Sequence, residues 1–411
     1  MILYIDPGTG SMLFTVLLGL ITTVYFFVQR LFVRLKVYLA GGKNGKADKN
    51  YMPFVIFSDD KRYWDYFIDV CRIFEEKGRE LVYWTCSKDD PILKEEYRHV
   101  KAEYIGNINA ASVRLNRMKA GVCLSTTPGL DVYQWKRSRD TGWYVHILHT
   151  AGDARVYRMF GMDFYDAVLV TGGHQIEEIR QLENIRKEEA KEIVVAGEPH
   201  IDKLYDRYKR EGVPDKNGFT VLLAPSWGES GILRRFGEKI IDALIDTGFY
   251  IIIRPHPQSM QSEKDMMDRL MEHFPDSDKL EWNFDHDNYE CLSKADIMIS
   301  DFSGVIWDYM FIFERPVIYA DVEIDEGPYD IYCTKDKRWP IKILERGGIK
   351  LEEESFPKLK EIIEDAVNSE NIRKTIEDAR SEAWANPGEA AERIADYMLS
   401  KYQSLEADTG A

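Results

Sequence analysis

Two kinds of hydrophobic pattern divide this chain. Near its start, residues 12–28 are all apolar, glycine or threonine, and apolar residues recur through Leu31, Phe32, Val33 and Leu35. A run of that length spans a bilayer as a helix. Basic residues follow it (Arg30, Arg34, Lys36, Lys43, Lys46 and Lys49) and none precedes it. The positive-inside rule then places the body of the chain in the cytoplasm, as a single-pass protein of the cell membrane. The same basic run suits anionic lipid head groups. No small-residue cleavage site follows the span, which argues against an ordinary secretory signal.

From Pro53 onward the pattern is different. Short apolar runs alternate with amphipathic stretches. They predict strands at 54–57, 81–84, 102–105, 122–125, 144–148, 167–170 and 193–196, and helices at 63–74, 92–97, 110–118 and 175–183. A second series begins near Gly218, with strands at 220–224 and 250–253 and helices at 236–245, 264–273 and 289–293. It closes in a compact βαβ unit: a strand at 297–299, a polar turn from Asp301 to Gly304, a helix at 305–313 stopped by Arg315-Pro316, and a strand at 317–320. Amphipathic helices follow at 359–367 and 391–402. The fold class is therefore α/β: two Rossmann-like domains facing a cleft, behind an N-terminal transmembrane helix.

Composition narrows the picture. A formal charge of -16 makes nucleic acid an unsuitable partner. The five cysteines are scattered without a Cys-x-x-Cys pair, as in reduced cytoplasmic proteins. No metal-ligand spacing of His, Cys or Asp is apparent, and no cofactor is implied. Asp285-His286-Asp287 resembles a metal-binding Asp-x-Asp, but it precedes a predicted helix, where Asp is a common cap.

The candidate chemistry lies in four turns, each after a predicted strand. They are His149 to Asp153 with Arg155 and Arg158 behind it, Ala224-Pro225-Ser226-Trp227-Gly228, Arg254-Pro255-His256-Pro257, and Ser300-Asp301-Phe302-Ser303-Gly304. The last opens a helix, where free N–H groups and the helix dipole favour an anion; a simple Ser or Asp cap is the bland alternative. His256, held between prolines, has a restricted backbone that fixes where its imidazole points. His146 and His149 are three apart in a strand and face opposite ways, so at most one reaches the cleft, and His149 at the strand end is the better placed. His99, His273 and His286 read as surface residues, while His174 and His200 are undecided. The basic cluster from Trp135 to Arg139 reads as a solvated face, with a phosphate or membrane contact as the minority alternative.

These motifs, with Ala196-Gly197-Glu198-Pro199-His200-Ile201-Asp202 between the first and second, resemble in order the CDP-glycerol glycerophosphotransferases of teichoic acid synthesis. The resemblance covers residues 145–321. It implies a GT-B-like fold and transfer of glycerol phosphate from CDP-glycerol to a lipid-linked or polymeric acceptor at the cytoplasmic membrane face, with release of CMP and no Asp-x-Asp metal. By position it implies His149 as general base and His256 near the donor pyrophosphate. Ser300, Asp301 and Ser303 would hold donor phosphates and ribose, assisted by Ser226 and Arg254. Arg155 and Arg158 are candidates for acceptor or phosphate contacts.

Three departures mark the sequence. His149 is followed by Thr-Ala-Gly-Asp in place of the family's Gly-Thr-Pro and lysine, Gly304 replaces a serine, and Ser226-Trp227-Gly228 replaces Thr-Trp-Arg. The donor half looks intact and the base-and-acceptor half altered. The implied domains are 1–40 (N-terminus and membrane helix), 41–50 (basic linker), 51–212 (acceptor domain), 213–385 (donor domain) and 386–411 (C-terminal helix and tail). Two other functions fit the same fold: a glycosyltransferase using a CMP- or UDP-sugar for envelope polysaccharide, and a catalytically degenerate, membrane-tethered scaffold.

Overall fold

Among the described residues, thirteen parallel strands form two sheets. The computed structural model describes residues 50–409 except 134, 217, 286, 302 and 322–325; the expected membrane span at 12–28 and the basic residues after it lie outside these. Among the described residues, no helix is long and apolar enough to cross a membrane.

The first sheet contains Met52–Ser58 (β1), Leu81–Thr85 (β2), Val100–Tyr104 (β3), Ala120–Ser125 (β4), Thr141–Ile147 (β5), Ala167–Val170 (β6) and Glu192–Val195 (β7), in the order β3-β2-β1-β4-β5-β6-β7. The second contains Thr220–Ala224 (β8), Tyr250–Ile253 (β9), Leu280–Trp282 (β10), Ile297–Ser300 (β11), Val317–Ala320 (β12) and Ile349–Leu351 (β13), in the order β10-β9-β8-β11-β12-β13. Each order reverses once, between β1 and β4 and between β8 and β11. Crevices for ligands open beyond the carboxyl ends of strands at such reversals.

The near-continuous apolar runs follow from burial on both faces. In β1, Phe54 and Ile56 enter one core cluster while Val55 and Phe57 enter another. The first of these clusters is completed by the last helix, Ala390–Thr409, whose Ile394, Met398 and Tyr402 pack there. The Tyr402 ring lies 4.9 Å from that of Phe54. Gly121 on β4 makes room for it, since a Cβ there would come within 2.4 Å of the Tyr402 ring. Asp202 anchors the crossing: its carboxylate accepts from Trp384 Nε1 and Gly388 N, both at 2.8 Å, and from Ala390 N at 3.1 Å.

Some elements depart from the sequence expectation. The helix expected at 92–97 is a single 3-10 turn, Pro91–Lys94. Asp90 caps it through Ile92 N and also accepts from Thr85 Oγ1 at 2.7 Å, pinning the turn to β2. The helix expected at 236–245 is two, Ile232–Phe236 and Glu238–Asp246, broken at Gly237 with φ +53°. The second sheet does not end at β12, because β13 adds an edge strand. Helices Pro199–Glu211, Trp339–Gly347 and Glu370–Ala383 and strand β10 were not foreseen.

Candidate functional site

The carboxyl end of β5 carries His149, and the neighbouring loop fixes it. Tyr157 Oη lies 2.9 Å from His149 Nδ1 and accepts from the His149 backbone N–H at 3.2 Å. The Tyr66 hydroxyl donates to the His149 carbonyl at 3.0 Å. The rings of Tyr63 and Tyr157 lie 4.9 Å and 5.2 Å from the imidazole. Burial pushes His149 down to about 4, with Arg62 adding to the effect, so the imidazole is neutral at pH 7. His146 faces the other way into the core, and burial pushes it down to about 3. Neither of its ring nitrogens has a hydrogen-bond partner.

Opposite stands the turn after β11. Its two buried polar residues shape the loop. Ser300 Oγ donates to the Ala224 carbonyl at 2.6 Å. The Asp301 carboxylate accepts from Ser226 N at 3.0 Å and from Ile232 N at 3.1 Å. It therefore holds the turn after β8 and starts the Ile232–Phe236 helix. Ser303 and Gly304 then open the Val305–Phe313 helix, with Ile306 N donating to the Ser303 carbonyl at 3.2 Å.

Between these walls lies a cavity of about 510 Å³. His149, Arg158, Asp301 and Ser303, all named from the sequence as candidates, line it. So do Asp59, Tyr63, Trp307, Tyr329 and Arg338, which the sequence reading did not single out. Asp59 follows β1 at the reversal of the first sheet, so the strand order alone could have pointed to it. Trp307 lies in the first turn of the predicted 305–313 helix and could have been inferred from it, whereas Arg338 sits in a region with no local signal.

Arg155, by contrast, does not line this cavity. Its guanidinium chelates the Asp153 carboxylate, with Nη2–Oδ2 at 2.6 Å and both side chains buried. It also reaches Gln181 Oε1 and Thr334 Oγ1. Asp153 in turn accepts from Trp339 N at 3.1 Å. The pair ties the His149 loop to the 334–339 segment, and Arg155 has little capacity left for a substrate phosphate.

Ser226, Arg254 and His256 gather at the ends of β8 and β9, outside the cavity. Arg254 donates to Asn283 and to the Asp285 carbonyl. His256 Nδ1 accepts from Gln258 N at 3.1 Å, which leaves the Nε2 edge of a half-buried ring as the N–H donor. Burial lowers its pKa and Asp301 opposes that shift. Trp227 stands 6.3 Å from this ring. Asp287 accepts from Tyr289 N at 3.0 Å, as a helix-start residue does, and pairs with Arg207. Among the described residues no cluster of three or more His, Cys, Asp or Glu is arranged to hold a metal.

His200, undecided from sequence, lies behind His149. A smaller cavity of about 180 Å³ is lined by both histidines with Glu198 and Asp308. Burial alone would lower His200, but Asp308, Glu198 and Asp65 outweigh it and push it up to about 9. It stacks on Tyr66 with ring centroids 5.6 Å apart. Glu198 is pushed up to about 8 by burial. In the basic cluster, Trp135 and Ser138 are buried and Arg137 pairs with Asp166 at 2.8 Å, while Lys136 and Arg139 are exposed, as a solvated face requires.

No curated protein sequence matches the chain significantly. Two structures of the wall teichoic acid polymerase TagF are similar at 15% identity. One gives a TM-score of 0.57 over 86% of this chain and 90% of that one. The other, with CDPG, gives 0.55 over 92% and 98%. The UDP complex of S. aureus MnaA gives 0.53 at 14% identity over 86% and 97%. At such identities the likeness establishes the two-sheet fold alone. The sequence match is more specific: residues 151–399 match the family described as CDP-Glycerol:Poly(glycerophosphate) glycerophosphotransferase. That match spans more than half of the chain, so the chain belongs to this family and is an enzyme of the CDP-glycerol glycerophosphotransferase type.

Proposed function

We propose that this enzyme moves glycerol phosphate from CDP-glycerol to a hydroxyl of a lipid-linked or polymeric envelope acceptor and releases CMP. The reading is supported chiefly by one observation: His149 and the opening of the Val305–Phe313 helix face each other across a single cavity. Helix N-termini favour phosphate, and an adjacent neutral imidazole can take a proton. The acceptor oxygen attacks the β-phosphorus, the bond from that phosphorus to the CMP oxygen breaks, and the acceptor proton passes to His149 Nε2. That role requires the tautomer in which His149 Nδ1 donates to Tyr157 Oη. The Tyr157 oxygen would then accept from both the ring and the backbone of His149. His256, presenting an Nε2–H, stabilises charge on the leaving phosphate. The N-terminal apolar run would anchor this body at the cytoplasmic membrane face, its basic residues against anionic lipid.

Purified full-length protein in anionic liposomes, given labelled CDP-glycerol and a membrane acceptor, should release CMP. No release, or unchanged release by His256→Ala, overturns the reading. The altered residues after His149 keep a nucleotide-sugar donor as a second possibility. Thermal shift with CDP-glycerol against UDP- and CMP-sugars separates the two. Nucleotide binding without turnover would point instead to a degenerate scaffold.

A further inference from the structure

His200 carries positive charge at the unfavourable end of a helix. It is the second residue of the Pro199–Glu211 helix, and the helix dipole is already positive there. Burial opposes its charge as well. The surrounding carboxylates nevertheless outweigh burial and keep the imidazole protonated at pH 7. Its Nε2 lies 3.7 Å from Asp308 Oδ2, and its Nδ1 lies 4.0 Å from Asp65 Oδ2. Asp65 is also paired with Lys203, so Asp308 is the main counter-charge of the imidazolium. Among the described residues no other cation pairs with Asp308. The two side chains are 24% and 18% exposed, so water screens them only in part.

Asp308 explains why the charge is needed. It lies in the first turn of the Val305–Phe313 helix. A carboxylate there stabilises the helix, but it also cancels the positive potential that draws a phosphate to the helix start. The small cavity that His200 and Asp308 line shares His149, Thr150, Gly304 and Trp307 with the main cavity. The Asp308 charge is therefore separated from the main cavity by a single wall of side chains. Tyr66 joins the same network to the base: its ring stacks on His200 at an interplanar angle of 19°, and its hydroxyl donates to the His149 carbonyl.

We propose that His200, as an imidazolium, neutralises Asp308 and so leaves the start of the Val305–Phe313 helix open to the donor's phosphates, a role that rests on the donor placement proposed above. His200 touches no substrate; it is a positioning residue that acts through Asp308. Asp65 and Tyr66 face it from the helix Trp64–Glu76, Glu198 and Lys203 from its own segment, His149 from the end of β5 and Asp308 from the donor helix. Of these, Glu198 is pushed up to about 8 by burial and titrates nearest to His200 itself, at about 9.

The test is calorimetric titration of the full-length protein with CDP-glycerol. At pH 7, His200→Gln should weaken binding about fivefold, the effect of one charge near a partly buried helix terminus. His200→Arg, which restores the charge, should bind within about twofold of wild type. Asp308→Asn should bind at least as tightly as wild type, and adding His200→Gln to it should cost less than about twofold. A role in packing alone gives His200→Gln the same loss in both backgrounds, and that result overturns the proposal, as does unchanged binding in His200→Gln. A pH series on wild type and His200→Arg supplies a second measurement. Glu198 titrates in both and cancels, so the wild type should lose affinity relative to His200→Arg as pH rises through about 9, where the imidazolium discharges. Parallel curves overturn the proposal. Wild-type protein that does not bind CDP-glycerol overturns the donor reading and this role with it, whereas normal wild-type binding with either negative result overturns the role of His200 alone.

Discussion

His149 and His256 both follow parallel strands, the first lining the main cavity and the second outside it, and they are held in opposite ways. His149 is enclosed by tyrosines and shares a hydrogen bond with Tyr157. His256 sits half-exposed in a proline-flanked turn, and its one hydrogen bond comes from the backbone two residues on. Enclosure ties a functional side chain to the stability of the fold, whereas a stiff backbone can aim one without enclosing it. The two histidines should therefore respond differently to the same substitution.

The largest contrast is expected from His256→Ala against His149→Ala. The first should lower the rate of CMP release about 10²–10³-fold, the usual cost of removing one donor to a developing charge, with little change in melting temperature. The second should lower the rate and also destabilise the fold by about 2–3 kcal/mol through cavity formation and lost bonds. Equal melting temperatures for the two variants would erase the distinction. Asp301→Ala tests whether the donor wall is built around that carboxylate. It leaves the Ser226 and Ile232 amides unpaired, and a urea midpoint should report a loss of about 3 kcal/mol.

His146 extends the comparison into the core. Its folded value of about 3 lies below the ordinary 6.5, so on acidification the unfolded chain takes the proton first. Stability is then lost as pH falls below about 6.5, by up to about 1.4 kcal/mol per pH unit for this one group. His146→Phe should remove that share and be about 2 kcal/mol more stable than wild type at pH 5, while near neutral at pH 7. Parallel curves for the two proteins would show that His146 does not carry the acid sensitivity. The smallest effect is expected from Tyr157→Phe. Removing the hydroxyl frees His149 to adopt either tautomer and should slow transfer about tenfold, with donor affinity unchanged. A change in donor affinity alone would instead place Tyr157 on the nucleotide.

Much of the fold was readable because both sheets are parallel and buried on two faces. Residues 167–170, 250–253 and 317–320 are unbroken apolar runs, 220–224 is one after Thr220, and all four form strands at those bounds. Elements whose identity depends on tertiary contact were not readable. β10 is three residues long, and Trp339–Gly347 begins where Asp153, far away in sequence, accepts from its first amide. The same divide runs through the site. Ser303 and His149 were visible because strand-end turns announce themselves. Arg338 joins the site only through the packing of separate segments, and His200 became interpretable only once Asp308 and Asp65 stood beside it. The family match begins at residue 151, just past His149. The histidine with the altered neighbourhood is thus the one whose role depends most on geometry.

The last helix has a consequence for how the protein is made. Its Ile394, Met398 and Tyr402 complete the core of a sheet whose first strand begins at Met52. During translation, at about 5–20 residues per second, that sheet is finished long before its covering arrives. For much of that time the apolar face around Phe54 is covered only in part, by the helix Trp64–Glu76, whose Phe74 ring lies 5.0 Å from that of Phe54. The first half of the chain completes its core only when the ribosome has delivered nearly all of the second. Truncations that remove only the C-terminal helix should therefore send the nascent first half toward chaperones or aggregates, even with every residue of the cleft retained.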